Sequence, residues 1–142
     1  MSVELKLITA QPISAAQLSS TRNYPACGAL VTFDGIVRNH HEGKSVLRLE
    51  YEAYVPMAGK VMASIASEIE NEWPGAHALA VHRMGPLAIG DVAVAIAVWT
   101  PHRTEAFAAC KAFIDRIKKR VPVWKKEFYA DETFAWVRCH HE

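Results

Sequence analysis

Cysteine is scarce in this 142-residue chain: Cys27, Cys110 and Cys139 are the only three, and none stands in a C-x-x-C pair. An odd, scattered set argues against a disulfide framework or a cysteine zinc site, and a reducing cytoplasm is the expected setting. Charge of one sign is lacking too. Sixteen Lys/Arg against fifteen Asp/Glu leave +1, so bulk attraction to nucleic acid is not expected. No apolar run reaches bilayer length; the longest, Val92 to Trp99, suits a buried strand. The start MSVELKLITA has no basic segment ahead of an apolar one, so no targeting segment is expected. No G-x-S-x-G, P-loop, G-x-G-x-x-G or H-E-x-x-H occurs, which leaves serine hydrolase, nucleotide-fold and zincin readings without a motif. His40, His41, His82, His102, His140 and His141 show no ligand spacing, and no metal or other cofactor is expected.

What is present fits one globular domain over 1–142. The composition is 51% hydrophobic and 22% charged, without repeats, low-complexity tracts or linkers. Val3 to Thr9 alternates as a half-buried strand. Ser14-Ala-Ala-Gln17 has the spacing that starts a short helix. Ala29 to Val37 is rich in β-formers, and its internal Asp34-Gly35 marks a bulge or a close backbone approach. Arg38 to Lys44 reads as a loop. Val46 to Tyr54 alternates, with Leu47, Leu49, Tyr51 and Ala53 on one face. Pro56 opens a helix carrying Ala58, Val61, Met62, Ile65, Ile69 and Trp73, which Pro74-Gly75 stops. Ala78 to Val81 is a strand, residues 84–91 are turn-rich, and Asp91 to Thr100 is a central strand covered on both faces. A helix then runs to Val121-Pro122 with Phe107, Cys110, Ile114 and Ile117 as its buried stripe. Val123 to Tyr129 and Phe134 to Val137 form a final strand pair. The pattern predicts an α+β fold: a mainly antiparallel sheet with helices on one face, and a ferredoxin-like β-α-β-β-α-β core with additional strands.

The chemistry concentrates in Pro101 to Glu127. Between His102 and Lys126 there are eight Lys/Arg against Glu105 and Asp115, a local +6 in a nearly neutral chain. Such a patch points to an anionic ligand carrying phosphate or carboxylate. Lys118 falls about 60° from the centre of the buried stripe, at ~100° per residue, so its stem packs while its ammonium reaches a cleft. Lys125 lies across the Pro122 turn. Two ammonium groups in one cleft can clamp an anion or move a proton. The same spacing also describes a solvated basic helix end favoured by the helix dipole. His102-Arg103 sits at a strand-to-helix junction, where Arg103 suits a phosphate and His102 a proton or hydrogen bond; helix-start packing is the plain alternative. Gly35-Ile36-Val37-Arg38 offers backbone N–H groups and a guanidinium to an oxyanion, or is an ordinary bulge before a loop. Cys110, on the stripe, reads as an inert buried thiol.

Three blocks then resemble a known family. GALVTFDGIVRNHHEGKSVLRLEYEAYVPMA (28–58), HRMGPLAIGDVAVAIAV (82–98) and PHRTEAFAACKAFIDRIKKRVPVWKKEFYAD (101–131) are similar to the large, catalytic subunit of molybdopterin synthase, MoaE. The resemblance implies a sulfurtransferase that converts cyclic pyranopterin monophosphate to molybdopterin in molybdenum cofactor biosynthesis. The sulfur comes from the C-terminal Gly-Gly thiocarboxylate of a small ubiquitin-like, MoaD-like partner. It further implies a homodimer inside a heterotetramer, with no membrane or nucleic-acid partner. Carried over by motif, Lys118 and Lys125 are the catalytic lysines. Arg38, His102 and Arg103 bind the pterin phosphate, and Ile36, Val37, Lys126 and Glu127 line the same pocket. Two places depart from the family pattern. Glu132-Thr133 follows Asp131 where glycine is usual. Near the C-terminus, where family members often carry a basic residue that reaches the partner protomer's site, the chain ends Arg138-Cys139-His140-His141-Glu142, so Arg138, a histidine or no residue fills that role.

Two other readings remain open on the residues alone. One is a non-catalytic basic module that binds a ubiquitin-like protein or an RNA. The other is a phosphohydrolase using His102 and a metal.

Overall fold

The computed structural model describes residues 7–138. The elements are β1 (Ile8–Thr9), α1 (Ala15–Ser19), β2 (Ala29–Ile36), β3 (His40–His41), β4 (Lys44–Ala53), α2 (Val55–Glu72), β5 (His77–Arg83), β6 (Gly85–Ala88), β7 (Val92–Thr100), α3 (Arg103–Arg120), β8 (Val123–Tyr129) and β9 (Phe134–Arg138). Most of the expected first strand and the residues after Arg138 lie outside the described residues.

The strands form two sheets, where the sequence pattern predicts one. The first runs β1-β5-β7-β2 and the second β3-β4-β8-β9, with β6 also paired to β4. Every pair is antiparallel except β1 with β5. β8 follows α3 but joins β4 instead of the first sheet, so the return strand builds a second layer.

The helices also depart from the expected single face. β7 is apolar at every position but its last, Thr100, because both its faces are covered. Val94, Ile96 and Val98 join the main core with Met62, Ile65 and Ile69 of α2 and Phe113 and Ile117 of α3. Ala95, Ala97 and Trp99 point the other way, against Ala15 and Leu18 of α1. Fully burying a side chain such as Ile65 or Phe113 contributes roughly 1.5–3 kcal/mol, so the two-sided covering of β7 fixes the first sheet.

Two local features shift the predicted faces. On α3 the buried residues are Ala106, Ala109, Cys110, Phe113 and Ile117, while Phe107 is 66% exposed. Small alanines let α3 lie close on the sheet, and hydrophobicity alone wrongly favours the phenylalanine. On β4 a register shift between Val46 and Arg48 buries Val46 and leaves Leu47 59% exposed. Past that bulge the alternation holds, with Leu49 and Tyr51 inward.

The turns explain several glycines. The loop expected over 38–44 is a tight hairpin: β3 pairs with the start of β4, and Glu42 and Gly43 both take positive φ (48° and 79°), as a two-residue turn requires. The turn-rich segment 84–91 contains β6, held against β4. Asp91 closes its far end by accepting from the Ala88 amide at 2.9 Å.

Candidate active site

The two sheets meet around a cavity of about 300 Å3. The end of β2 and the start of β7 form one wall, β4 and β8 the other, and the last turns of α3 close one side. Gly35 makes the β2 wall possible. A Cβ there would stand 2.7 Å from Val94 Cγ1, and the β2–β7 register slips between Gly35 and Ile36. The glycine therefore marks both a bulge and a close approach, as its position in the strand predicts.

Ile36, Val37, Arg38, Lys118, Lys125 and Glu127 all line this cavity. Lys118 arrives from the last turn of α3, half-buried, and Lys125 from β8. Among the described residues, no acid pairs with Lys118. Lys125 differs: its Nζ is 3.3 Å from Oε2 of Glu127. The cleft thus contains a lysine–carboxylate pair beside a second lysine, not two bare ammonium groups. Val37 contributes less backbone than expected. Its N–H donates to the Asp91 carbonyl at 2.9 Å and its own carbonyl accepts from Gly90, so its amide is taken.

Three expected residues lie elsewhere. Lys126 points to the opposite face of β8, over the rings of Phe128, Phe134 and Trp136 at 4.2–5.7 Å. His102 and Arg103 are exposed at the start of α3. At ~1.5 Å rise per residue they stand roughly 22 Å along the helix from Lys118.

The charge excess of the stretch is dispersed in the same way. Arg116 and Arg120 both pair with Glu68, and Arg116 also pairs with Glu72, bolting α3 to α2. Those guanidinium groups hold the Glu68 and Glu72 carboxyls below the ordinary carboxylate range. Lys111 pairs with Asp115 one turn on. Lys118, Lys125 and Arg38 are the cations left facing the cavity.

Other lining groups carried no motif. His82 is buried, its Nδ1 2.8 Å from the Arg83 carbonyl and its ring edge-on to Tyr51. Burial pushes its pKa down to about 4, so it is neutral. A carbonyl can only accept, so Nδ1 carries the proton and Nε2 is left as an acceptor. His41 is brought in by the β3 hairpin, its Nδ1 4.0 Å from Glu127. Tyr129, next on the Lys125–Glu127 face, donates to Glu127 Oε1 at 2.8 Å. Period-two alternation could have found Tyr129 and could have removed Lys126; nothing local marks His41 or His82. Cys110 is buried with its thiol pushed up to about 11, which leaves it protonated and unreactive. Among the described residues, no group of three His, Cys, Asp or Glu is arranged to hold a metal ion.

The family model described as MoaE protein matches residues 8–120. The chain belongs to the MoaE family. Among relatives of this MoaE chain, the molybdopterin synthase catalytic subunit of Staphylococcus carnosus is 49% identical over 137 residues, covering 95% of this chain and 91% of that one. The crystal structure of molybdopterin synthase from Staphylococcus aureus is similar with a TM-score of 0.88 and 44% identity, covering 95% and 98% of the two chains. A chain from the Helicobacter pylori complex of subunits 1 and 2 of molybdopterin-converting factor shares the fold at TM-score 0.73 and 18% identity, over 92% and 88%. The two-sheet arrangement is therefore a MoaE fold, of mixed α+β class. No described helix is long and apolar enough to cross a membrane.

Proposed function

We propose that this chain is the catalytic subunit of a molybdopterin synthase. It moves sulfur from the C-terminal thiocarboxylate of a small ubiquitin-like subunit to cyclic pyranopterin monophosphate, forming the dithiolene. One observation carries the reading: a single cavity of about 300 Å3 gathers Lys118 from α3, Lys125 from β8 and Arg38 from the link between β2 and β3. Both ligands are anions, and a cavity with convergent cations suits both. Lys118, which has no ion-pair partner among the described residues, serves the acyl end of the tail and its proton transfers. Lys125, held by Glu127, supports charge on the pterin. Ile36 and Val37 supply apolar wall and Arg38 a phosphate ligand. The partner brings the sulfur, so this chain needs no reactive thiol of its own. The activity of its relatives, molybdopterin synthase catalytic subunits by name, supports the reading, and the Helicobacter pylori complex supports a two-subunit assembly.

His102 and Arg103 lie too far along α3 to reach the same ligand as Lys118. As phosphate ligands they serve the cavity of a second copy, which is how the homodimer within the heterotetramer enters the chemistry. Lys126, on the outer face of β8, serves the site in one chain only indirectly. We read residues 1–142 as one such domain, since both sheets share one core. Its β5-β7-β2 order is that of three strands of a ferredoxin-like core, with the fourth, β8, moved to the second sheet. The free thiols Cys27 and Cys110 suit the cytoplasm. The alternative of a charge-driven binding module is weakened by the pairing of Arg116 and Arg120 to Glu68 and Glu72.

The test mixes the purified chain with a thiocarboxylated small subunit and cyclic pyranopterin monophosphate. Dithiolene product is expected. Its absence under conditions where the two subunits bind would overturn the reading.

A further inference from the structure

Glu127 is 2% exposed, yet it sits in the wall of a cavity built for anions. A buried carboxylate is stable only when both its oxygens are satisfied. Here they are satisfied by different groups. Oε1 accepts from the Tyr129 hydroxyl at 2.8 Å. Oε2 faces Lys125 Nζ at 3.3 Å, with His41 Nδ1 at 4.0 Å on the same oxygen. Lys125, Glu127 and Tyr129 follow one another at every second position of β8, so all three share its inner face.

We propose that Tyr129 is a positioning residue for the cavity lysine. Its hydroxyl fixes the rotation of the Glu127 carboxylate, so that the other oxygen holds the Lys125 ammonium facing the ligand. A lysine has a long, freely rotating stem, and its charge is useful in catalysis only when its direction is set. A carboxylate tethered at one oxygen sets it; an untethered one can swing and take the ammonium with it. Tyr129 suits this task. Its ring is buried and lies under Lys44 Nζ at 4.8 Å from the ring centre, so it is anchored independently of its hydroxyl. Burial together with the Glu127 bond pushes that hydroxyl up to about 12, which keeps it a donor at any physiological pH. His41, coming from the β3 hairpin, stands 4.0 Å from Oε2.

The kinetic part of this inference rests on the proposed sulfur transfer; the chemical part does not. The experiment therefore has two arms. In the first, lysines of the full chain and of Tyr129→Phe are labelled with limiting acetic anhydride, and each site is quantified by peptide mass spectrometry. Lys125 is expected to label roughly tenfold to a hundredfold faster in the variant, the scale of one hydrogen bond to a charged group. Exposed Lys119 serves as the internal control and is expected to be unchanged. In the second arm, the complete synthase is assayed. Tyr129→Phe is expected to lower kcat by a similar factor with KM for the pterin unaltered. Combined with Lys125→Met, it is expected to add no further loss. Unchanged Lys125 labelling, or effects that multiply in the double variant, would overturn the proposal. Should Tyr129→Phe fold poorly, Glu127→Gln keeps the side-chain shape and must also speed Lys125 labelling; if it does not, the carboxylate does not hold the lysine. If Lys125→Met keeps full turnover while Tyr129→Phe still exposes Lys125, the positioning stands and the sulfur-transfer role of Lys125 falls.

Discussion

Lys125 Nζ lies 3.3 Å from Glu127 Oε2, whereas Lys118, in the same cavity, meets no acid among the described residues. The two lysines are thus equivalent in motif and different in physics. Lys125→Ala strands a buried carboxylate and is expected to cost ~1–3 kcal/mol of stability. Lys118→Ala removes no such partner and is expected to stay within ~0.5 kcal/mol. Both are expected to lower sulfur transfer by at least about a hundredfold, the usual scale of a lost proton-transfer group. Urea unfolding alongside a dithiolene assay separates the cases. Equal stability losses would mean that the Lys125–Glu127 pair contributes nothing to folding.

Strand alternation makes a second contrast between neighbours. Lys126 faces the aromatic outer surface of β8 over Phe134 at 4.2 Å, away from the cavity. Lys126→Met is expected to keep kcat within about twofold, while Lys125→Met loses the activity. A Lys126→Met chain as inactive as Lys125→Met would require the outer face to take part in the reaction, for instance through the small subunit.

Much of this fold was legible in the chain because its strongest signals are periodic. β7 reads as a doubly covered strand from its unbroken apolar run, and α2 and α3 end at Pro74 and Pro122, as proline chemistry dictates. The second sheet was not legible. Whether β8 returns to β2 or crosses to β4 is a choice between long-range pairings, and no local residue encodes it. The buried face of α3 was misread because burial follows helical phase and available space, so Ala106 goes in and Phe107 stays out. Within the site, Lys118, Lys125 and Arg38 could be named from motif. The Tyr129–Glu127 bond needed only period-two counting along β8. The contributions of His41 and His82 depend on a hairpin and on the pairing of β5 between β1 and β7, which only tertiary structure brings to the cavity.

The Gly35–Val94 approach sets the shape of the β2 wall. A Cβ at Gly35 would lie 2.7 Å from Val94 Cγ1, and the stiff valine side chain has little room to yield. Gly35→Ala is expected to cost ~1–3 kcal/mol and to weaken pterin binding, because the neighbouring Ile36 to Arg38 segment shifts with it. Adding Val94→Ala is expected to restore part of both. Calorimetric binding together with urea midpoints checks this, and a double variant no better than Gly35→Ala would remove the clash as the cause.

Glu132 holds the left-handed conformation, φ 69°, at the β8–β9 turn, a conformation that glycine adopts without steric cost. Asp131 Oδ1 secures that turn by accepting from the Thr133 amide at 3.0 Å. Glu132→Gly is expected to raise stability by up to ~1 kcal/mol, the steric cost being relieved but partly offset by glycine's greater freedom in the unfolded chain. Turnover should be unaffected. A lower urea midpoint for the variant would show that the glutamate side chain stabilises the turn by more than its backbone strain costs.

His82 gives the protein an acid sensitivity that can be assigned to one group. Burial holds its pKa at about 4 in the folded chain, against the usual 6.5. Between those values the unfolded chain binds the proton and the folded chain does not. Stability is therefore complete above pH 6.5 and falls as the medium acidifies through that window, by roughly 3 kcal/mol in all. Glu68, Glu72 and Asp131 are held below their ordinary carboxylate values, so their stabilisation is lost at still lower pH. The two effects separate along the pH axis. Urea midpoints taken from pH 7.5 down to about 4.5 should decline in the parent chain and flatten in His82→Gln, whose amide can still donate to the Arg83 carbonyl. The variant starts from lower stability because the ring contact with Tyr51 is lost, so slope and not level is the readout. An equally steep decline in His82→Gln would place the acid sensitivity on a group other than His82.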